Sequence, residues 1–164
     1  MASQIPAPGR AEAEQYRRKA AELLGGVKVL RLKRSPITQL EAHELLRHGL
    51  PARALGSLIH TLSILGYTEP HLAKALGISP RTVQRQKRTP AKRLSLEQSG
   101  RMWKFAEILS KATAVFGSQR EAAEWMRRPA TGLDQRRPLD LLATPAGAEL
   151  VETFLDRLEY GVYA

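Results

Sequence analysis

The stretch HLAKALGISPRTVQRQKRTP, residues 71–90, constrains the fold more than any other part of the chain. Thr68 precedes it as a candidate helix N-cap. Gly77 can take the positive φ that ends a helix with a sharp turn. Ser79, followed by proline, is typical of the start of a second helix. The segment therefore predicts two short helices that cross at a tight turn, with the apolar Ile78 filling the corner between them.

The second of these helices presents a basic outer face. Arg81, Arg85 and Arg88 stand at positions i, i+4 and i+7, so they share one side of the helix. Arginine can donate two hydrogen bonds to guanine, glutamine can pair with adenine, and hydroxyls at a helix N-terminus suit a phosphate oxygen. The candidate DNA-binding residues are Ser79, Arg81, Thr82, Gln84, Arg85 and Arg88. A purely structural helical hairpin, or a protein-binding copy of the motif, is the alternative.

The rest of the N-terminal half also predicts helices. Strong helix formers over residues 11–24 end at a pair of glycines. Two further helices are predicted over about 38–48 and 51–65, because glycine follows the first and proline opens the second. Residues 27–36 alternate apolar and basic side chains. That pattern is compatible with a short strand or with a loose basic arm.

The C-terminal half has clear helix-start signals, and the predicted fold class is all-α. Ser95 with Gln98, and Ser118 with Glu121, match the capping-box pattern. Thr144 followed by proline predicts the start of the last helix. Between the two boxes an apolar stripe is predicted to form core rather than a dimer seam. Its members are Met102, Phe105, Leu109, Ala112 and Phe116.

Basic charge is concentrated in the first 94 residues. The formal net charge is +10, yet residues 95–164 carry nine basic and ten acidic groups. A polyanionic partner therefore fits the front of the chain better than the back. We predict three parts, which are a basic N-terminal extension (1–36), a helix-turn-helix domain (37–94) and a second helical domain (95–164).

Several other classes of protein are disfavoured. The chain has no cysteine, which excludes a disulfide framework and suits a cytoplasmic location. No apolar run reaches the roughly 20 residues of a membrane helix, and the N-terminus lacks the apolar segment of a signal peptide. His43 and His48 diverge by about 140° around a helix, so they cannot share a metal. We predict no metal, no cofactor, no membrane association and no enzymatic activity.

Two stretches resemble known families. Residues 68–88, with Ala73, Gly77 and Ile78 at the matching places, resemble the helix-turn-helix of Xre-type transcriptional regulators. Gln86 departs from that pattern, which usually has a buried aliphatic residue there.

The stretch RRPLDLLATPAGAELVETFLDRLEYGVYA (136–164), preceded by 116–133, is similar to the Xre/MbcA/ParS toxin-binding domain of bacterial type II antitoxins. Asp134 and Gln135 stand where that family commonly has glycines.

The resemblance implies an antitoxin that holds a RES-domain toxin, an NAD-consuming or ADP-ribosylating enzyme, inactive and that represses its own operon by binding double-stranded operator DNA. One helix-turn-helix unit makes a small DNA contact, so a homodimer is expected within a larger toxin–antitoxin complex. The candidate toxin-binding residues are Arg136, Arg137, Asp140, Tyr160, Gly161, Val162, Tyr163 and Ala164. A dimeric helix-turn-helix repressor without a toxin partner is the alternative.

Two points about the toxin-binding residues stay open at the level of sequence. Val162–Ala164 follow a helix-ending glycine as an apolar and aromatic tail. We predict that this tail enters the toxin's NAD cleft, and the alternative is that it folds back on its own domain. Arg136, Arg137 and Asp140 either touch the toxin or pin their loop to the last helix.

Overall fold

A computed structural model describes residues 9–36 and 38–161 of the chain. These residues form ten α-helices and one 3-10 turn at Thr131–Leu133, without a β-strand, which confirms the all-α class. The helices are α1 Arg10–Leu23, α2 Gly26–Leu30, α3 Gln39–Arg47, α4 Ala52–Ile64, α5 Glu69–Ala75, α6 Pro80–Arg88, α7 Leu96–Phe116, α8 Gln119–Arg127, α9 Pro138–Leu141 and α10 Pro145–Glu159. Within this part of the chain no helix is both long and apolar enough to span a bilayer.

Most helix starts follow the cap signals in the sequence. Ser95 Oγ accepts the Gln98 amide at 3.1 Å, and the Gln98 side chain accepts the Ser95 amide at 3.3 Å, which completes the predicted capping box. At the second predicted box, Ser118 Oγ accepts the Glu121 amide at 3.1 Å as a simple N-cap. Thr144 caps α10 through the Gly147 amide. Local hydrogen bonding therefore fixes where these three helices begin.

The segment left open over residues 27–36 begins as a helix. Gly25 takes φ +100°, and α2 then runs from Gly26 to Leu30. Leu30 is 2% exposed and joins the main core, and α2 packs against α1 and α4. The alternation of apolar and basic residues therefore reflects a single buried anchor on a short helix, and neither the strand nor the loose-arm interpretation describes its first half.

The core is organised around α7. Its predicted stripe is buried at Met102, Phe105, Leu109 and Ala112, and Phe116 packs against Trp125 with ring centroids 5.0 Å apart. Helices α1, α3, α8 and α10 all contact α7. The stripe is therefore core, as predicted. One connected hydrophobic cluster includes residues from α1 to α10.

The connector between the two predicted helical domains is tied down by backbone hydrogen bonds. The Ala52 amide donates to Lys92 O at 2.8 Å, and the Leu94 amide donates to Leu50 O at 2.8 Å. The Leu50 amide in turn donates to the Ser99 hydroxyl of α7 at 2.9 Å. The start of α4 is thereby fixed to the start of α7. The three-part division at residues 36 and 94 stays a prediction.

Candidate nucleic-acid and partner interfaces

The α5–α6 pair has the predicted helix-turn-helix geometry. Gly77 takes φ +62° between the helices, and the Ile78 amide donates to Ala73 O at 2.8 Å. Ile78 and Val83 are 5% and 1% exposed, so both apolar residues of the corner are in the core. A side chain at Gly77 would need a strained backbone and would also displace the Arg101 guanidinium from its place beside the turn. The turn is therefore fixed both by conformation and by its neighbour.

Arg101 is a residue of this unit that the sequence did not reveal. It lies in α7, and its Nη1 donates to Gly77 O at 3.2 Å. Its Nη2 is held by Glu97 Oε1 at 2.7 Å. The guanidinium thus ties the turn of the helix-turn-helix to the long central helix. Nothing in the local sequence pairs positions 77 and 101, so only the tertiary fold identifies this contact.

The outer face of α6 brings most of the predicted DNA-binding residues together. A single concave surface of about 450 Å³ is lined by Arg81, Thr82, Gln84, Arg85 and Arg88. The three arginines are exposed. Ser79 lies at the N-terminus of the helix, where its Oγ accepts the Thr82 amide at 3.1 Å and is 2.9 Å from the Thr82 hydroxyl oxygen. Exposed guanidinium groups on one side of a short helix are suited to a nucleic-acid groove.

Glu69 of α5 modifies this face, and sequence reasoning missed it. Its Oε1 accepts a hydrogen bond from Gln84 Nε2 at 2.8 Å, and its Oε2 pairs with the Lys87 ammonium. The amide group proposed to read adenine is therefore held by a carboxylate within the protein. The carboxylate also places a negative charge beside the arginines.

The basic residues of the connector differ in availability. Arg93 Nη1 donates to Gly49 O at 2.7 Å, so this guanidinium closes the turn before α4. Lys92 is exposed. Of the two, Lys92 is the better placed for a phosphate contact.

The loop before α9 has an unusual backbone. Asp134 and Gln135 take φ +52° and +60°, the left-handed region that glycine adopts without strain. These are the positions where the family resemblance leads one to expect glycines. The loop is closed by hydrogen bonds from the Ala130 amide to Arg136 O at 3.1 Å and from the Gln135 side chain to Thr131 Oγ1 at 3.3 Å.

Two of the candidate toxin-binding residues in this loop pair with each other. Arg137 Nε donates to Asp140 Oδ2 at 2.8 Å across the first turn of α9, and both side chains are partly exposed. Arg136 is exposed, and its backbone closes the loop. The Arg137–Asp140 bond lies at the start of α9 and does not reach the last helix, so both roles predicted for Arg137 and Asp140 stay predictions. The bond leaves the surface of the pair available to a partner.

The last turn of α10 meets the first turns of α1. Tyr16 OH donates to Glu159 Oε1 at 2.6 Å, and Tyr160 OH donates to Glu12 Oε2 at 3.1 Å. Burial and the bond to Glu159 raise the pKa of Tyr16. Gly161 then takes φ +63° and ends the helix. Val162, Tyr163 and Ala164 lie outside the described residues.

Ion pairs fix α10 along α7. Lys111 is 6% exposed and pairs with Asp156, while Lys104 Nζ lies 3.2 Å from Glu152 Oε1 and 3.3 Å from Glu107 Oε2. Burial acts to lower the pKa of Lys104, but the two carboxylates outweigh it and raise the pKa. The position of α10 is therefore set by charged contacts as well as by apolar packing.

The described residues contain no cluster of three or more His, Asp or Glu side chains placed to hold a metal ion. His48 Nδ1 lies 2.7 Å from Glu44 O in its own helix.

An arginine-bearing helix-turn-helix joined to a small C-terminal helical unit places the chain in the class of helix-turn-helix proteins with an added domain. Residues 41–107 match the antitoxin Xre-like helix-turn-helix domain, and residues 111–161 match the antitoxin Xre/MbcA/ParS C-terminal toxin-binding domain. The chain belongs to the Xre-type antitoxin family.

Relatives named antitoxin Xre agree with this assignment. The chain is 36% identical over 94 residues to the protein of Yersinia enterocolitica, which is 57% of this chain and 63% of that one. It is 29% identical over 119 residues to the protein of Photorhabdus laumondii, and the match covers 72% of this chain and 78% of that one. It is 31% identical over 68 residues to the protein of Pseudomonas putida, and the match covers 42% of this chain and 43% of that one. The matches to the Yersinia and Pseudomonas proteins thus span less than two thirds of those chains.

Proposed function

We propose that the chain neutralises a RES-domain toxin by binding it and represses its own operon through the α5–α6 unit. The observation that carries the proposal is that a basic helix-turn-helix face and a matched toxin-binding domain share one core around α7. The protein acts by occupying surfaces, and the proposal includes no chemical step of its own. A repressor of this kind works in the cytoplasm, where its DNA lies.

The DNA-binding part of the proposal assigns direct roles to α6. Arg81, Arg85 and Arg88 contact base edges or phosphates, while Ser79 and Thr82 contact a phosphate at the helix N-terminus. In a homodimer, two copies of α6 would enter successive major grooves about 34 Å apart. Because the contact is mainly ionic, the affinity falls steeply as salt rises.

A gel-shift or anisotropy titration with the DNA upstream of the chain's own coding sequence tests this part. Arg85→Ala should lower the affinity by about 1–3 kcal/mol if it contacts a base. Arg120→Ala is the matched control, because Arg120 is also an exposed helical arginine but lies in α8. Equal affinity of the two variants for this DNA would contradict the assignment of α6 as the DNA-reading helix.

The toxin-binding part of the proposal assigns the partner surface to the C-terminal domain. Arg136 and the Arg137–Asp140 pair contact the toxin beside α9, and Tyr160 and Gly161 direct the chain toward it. Residues 162–164 enter the cleft in which the toxin binds NAD. Tyrosine suits such a contact, since its rigid ring buries a large area and its hydroxyl can reach a polar partner.

Co-expression with the product of the neighbouring gene, which the proposal expects to be a RES-type protein, tests this part. Deletion of residues 162–164 should release toxin activity while DNA binding is retained. Recovery of the full-length chain and the toxin as separate species under mild, dilute conditions would exclude the antitoxin role. DNA binding alone would then favour the alternative, a dimeric repressor without a toxin partner.

A further inference from the structure

The N-terminal helix α1 lies outside both matched regions, the first of which begins at residue 41. It is nevertheless part of the folded unit. Ala20 and Ala21 are fully buried, and α1 packs along α7. The C-terminal half of α1 is therefore held firmly, and its N-terminal turns reach the end of α10.

Two hydrogen bonds join these helix ends in a crossed arrangement. A tyrosine of α1, Tyr16, donates to a glutamate of α10, Glu159, at 2.6 Å. The tyrosine that follows α10, Tyr160, donates to a glutamate of α1, Glu12, at 3.1 Å. Together we call these two bonds the α1–α10 clamp. The residues joined by the first bond are 143 apart in the sequence, and those joined by the second are 148 apart.

Each bond of the clamp has a further consequence. Tyr16 is 8% exposed, and Glu159 Oε2 is buried without a hydrogen-bond partner among the described residues. The Tyr16 hydroxyl is thus the hydrogen-bond donor shown for a partly buried carboxylate, and its loss is costly. Glu12 Oε2 also accepts the Gly9 amide at 3.0 Å. The start of α1 and the end of α10 are thereby coupled through one carboxylate.

We propose that Glu12 and Tyr16 are positioning residues for toxin binding, because the α1–α10 clamp holds Glu159 and the candidate contact residue Tyr160 at the end of α10. The inference rests on the proposed function. A contact residue whose position is already fixed binds a partner more tightly, since less conformational entropy is lost on binding. The proposal gives a role to a helix that the two family matches do not include.

The test uses the full-length chain, with Tyr16→Phe to remove one bond of the clamp while keeping the ring. Tyr67→Phe is the matched control, because Tyr67 is also buried and its hydroxyl donates to Ala123 O at 2.9 Å, away from the clamp. Amide hydrogen exchange over residues 156–161 should be at least tenfold faster in Tyr16→Phe than in the wild type. In Tyr67→Phe it should be unchanged.

Calorimetric titration with the product of the neighbouring gene, the toxin expected under the proposed function, then measures the effect on partner binding. Tyr16→Phe should weaken its binding at least tenfold, whereas binding of the upstream DNA should stay within twofold. The loss should be non-additive with Glu159→Ala, because that variant removes the acceptor of the same bond. General destabilisation would instead weaken toxin and DNA binding together, and that result overturns the proposal.

The remaining outcomes separate the two levels of the proposal. If the wild type binds the toxin and Tyr16→Phe binds it equally well, the positioning role is wrong and the antitoxin role stands. If the wild type does not bind the toxin, both are wrong.

Discussion

Gln86 offers a sharp test of how the helix-turn-helix is stabilised. It occupies the position on α6 where the related pattern usually has a buried aliphatic residue. Gln86 is 5% exposed, and its Oε1 has no hydrogen-bond partner among the described residues. A buried acceptor in that state has lost its hydrogen bonds to water without replacement. Gln86→Leu should therefore stabilise the protein.

The size of the gain follows from the burial of this carbonyl group. An unsatisfied buried acceptor costs about 1–3 kcal/mol. Leucine has a similar volume and restores apolar contact, but part of the gain is lost where its branched end packs imperfectly. We expect a net gain of about 1–2 kcal/mol, which for a chain of this size raises Tm by about 2–8 °C.

Thermal and urea unfolding followed by circular dichroism measure this gain. Gln86→Leu should raise the urea midpoint without changing the slope of the transition. The matched control is Gln98→Leu, which removes the return bond of the α7 capping box and should cost about 0.5–1 kcal/mol. The same chemical change thus has opposite signs at two sites. An unchanged or lower Tm for Gln86→Leu would show that its carbonyl is satisfied, and the reasoning would fail.

Three further predictions concern other contacts. Glu69→Ala frees the side chains of Gln84 and Lys87 and removes a negative charge beside the arginines of α6. The affinity for the upstream DNA, measured by anisotropy titration, should therefore rise about threefold to tenfold. A lower affinity would refute this. Gly147→Ala brings a methyl group against the Leu141 carbonyl, whereas Gly100 has open space within α7. Chemical unfolding should therefore show a loss of about 3 kcal/mol at the first site and a gain of about 0.5–1 kcal/mol for Gly100→Ala. Burial raises the pKa of Tyr67 to about 12, although Arg127 acts to lower it. Because the unfolded tyrosine ionises near pH 10, this residue's contribution to stability should fall by about 1.4 kcal/mol per pH unit from pH 10 to 12. Tyr67→Phe should show a flatter dependence, and equal slopes in the two proteins would count against the assignment.

Local signals in the sequence account for much of the fold. The Ser95–Gln98 box, the Ser79 cap and Gly77 lie within a few residues of the helix ends that they determine. Such contacts depend on neighbours in the sequence, so the pattern is sufficient to predict them. The short helix α2 was missed because five residues with one buried side chain carry too little periodicity to distinguish a helix from a strand.

The candidate sites were predictable to a different extent. The basic face of α6 follows from helical spacing alone, and the structure brings its members into one surface. Glu69 lies 15 residues before Gln84, and their hydrogen bond depends on the crossing of α5 and α6. The bond between Tyr160 and Glu12 depends on where α1 and α10 pack on α7. Contacts of this kind arise from tertiary structure, for which a single sequence holds no local signal.

The continuity of α7 determines how two bound partners would be arranged. The match to the helix-turn-helix domain ends at residue 107, and the match to the toxin-binding domain begins at residue 111. Both positions lie inside this 21-residue helix, which is about 31 Å long. No hinge separates them there, since Ile108, Leu109 and Lys111 are all buried against the same core. A partner bound to the C-terminal residues as proposed would therefore keep one orientation relative to the α5–α6 unit, because both are built on the same unbroken helix.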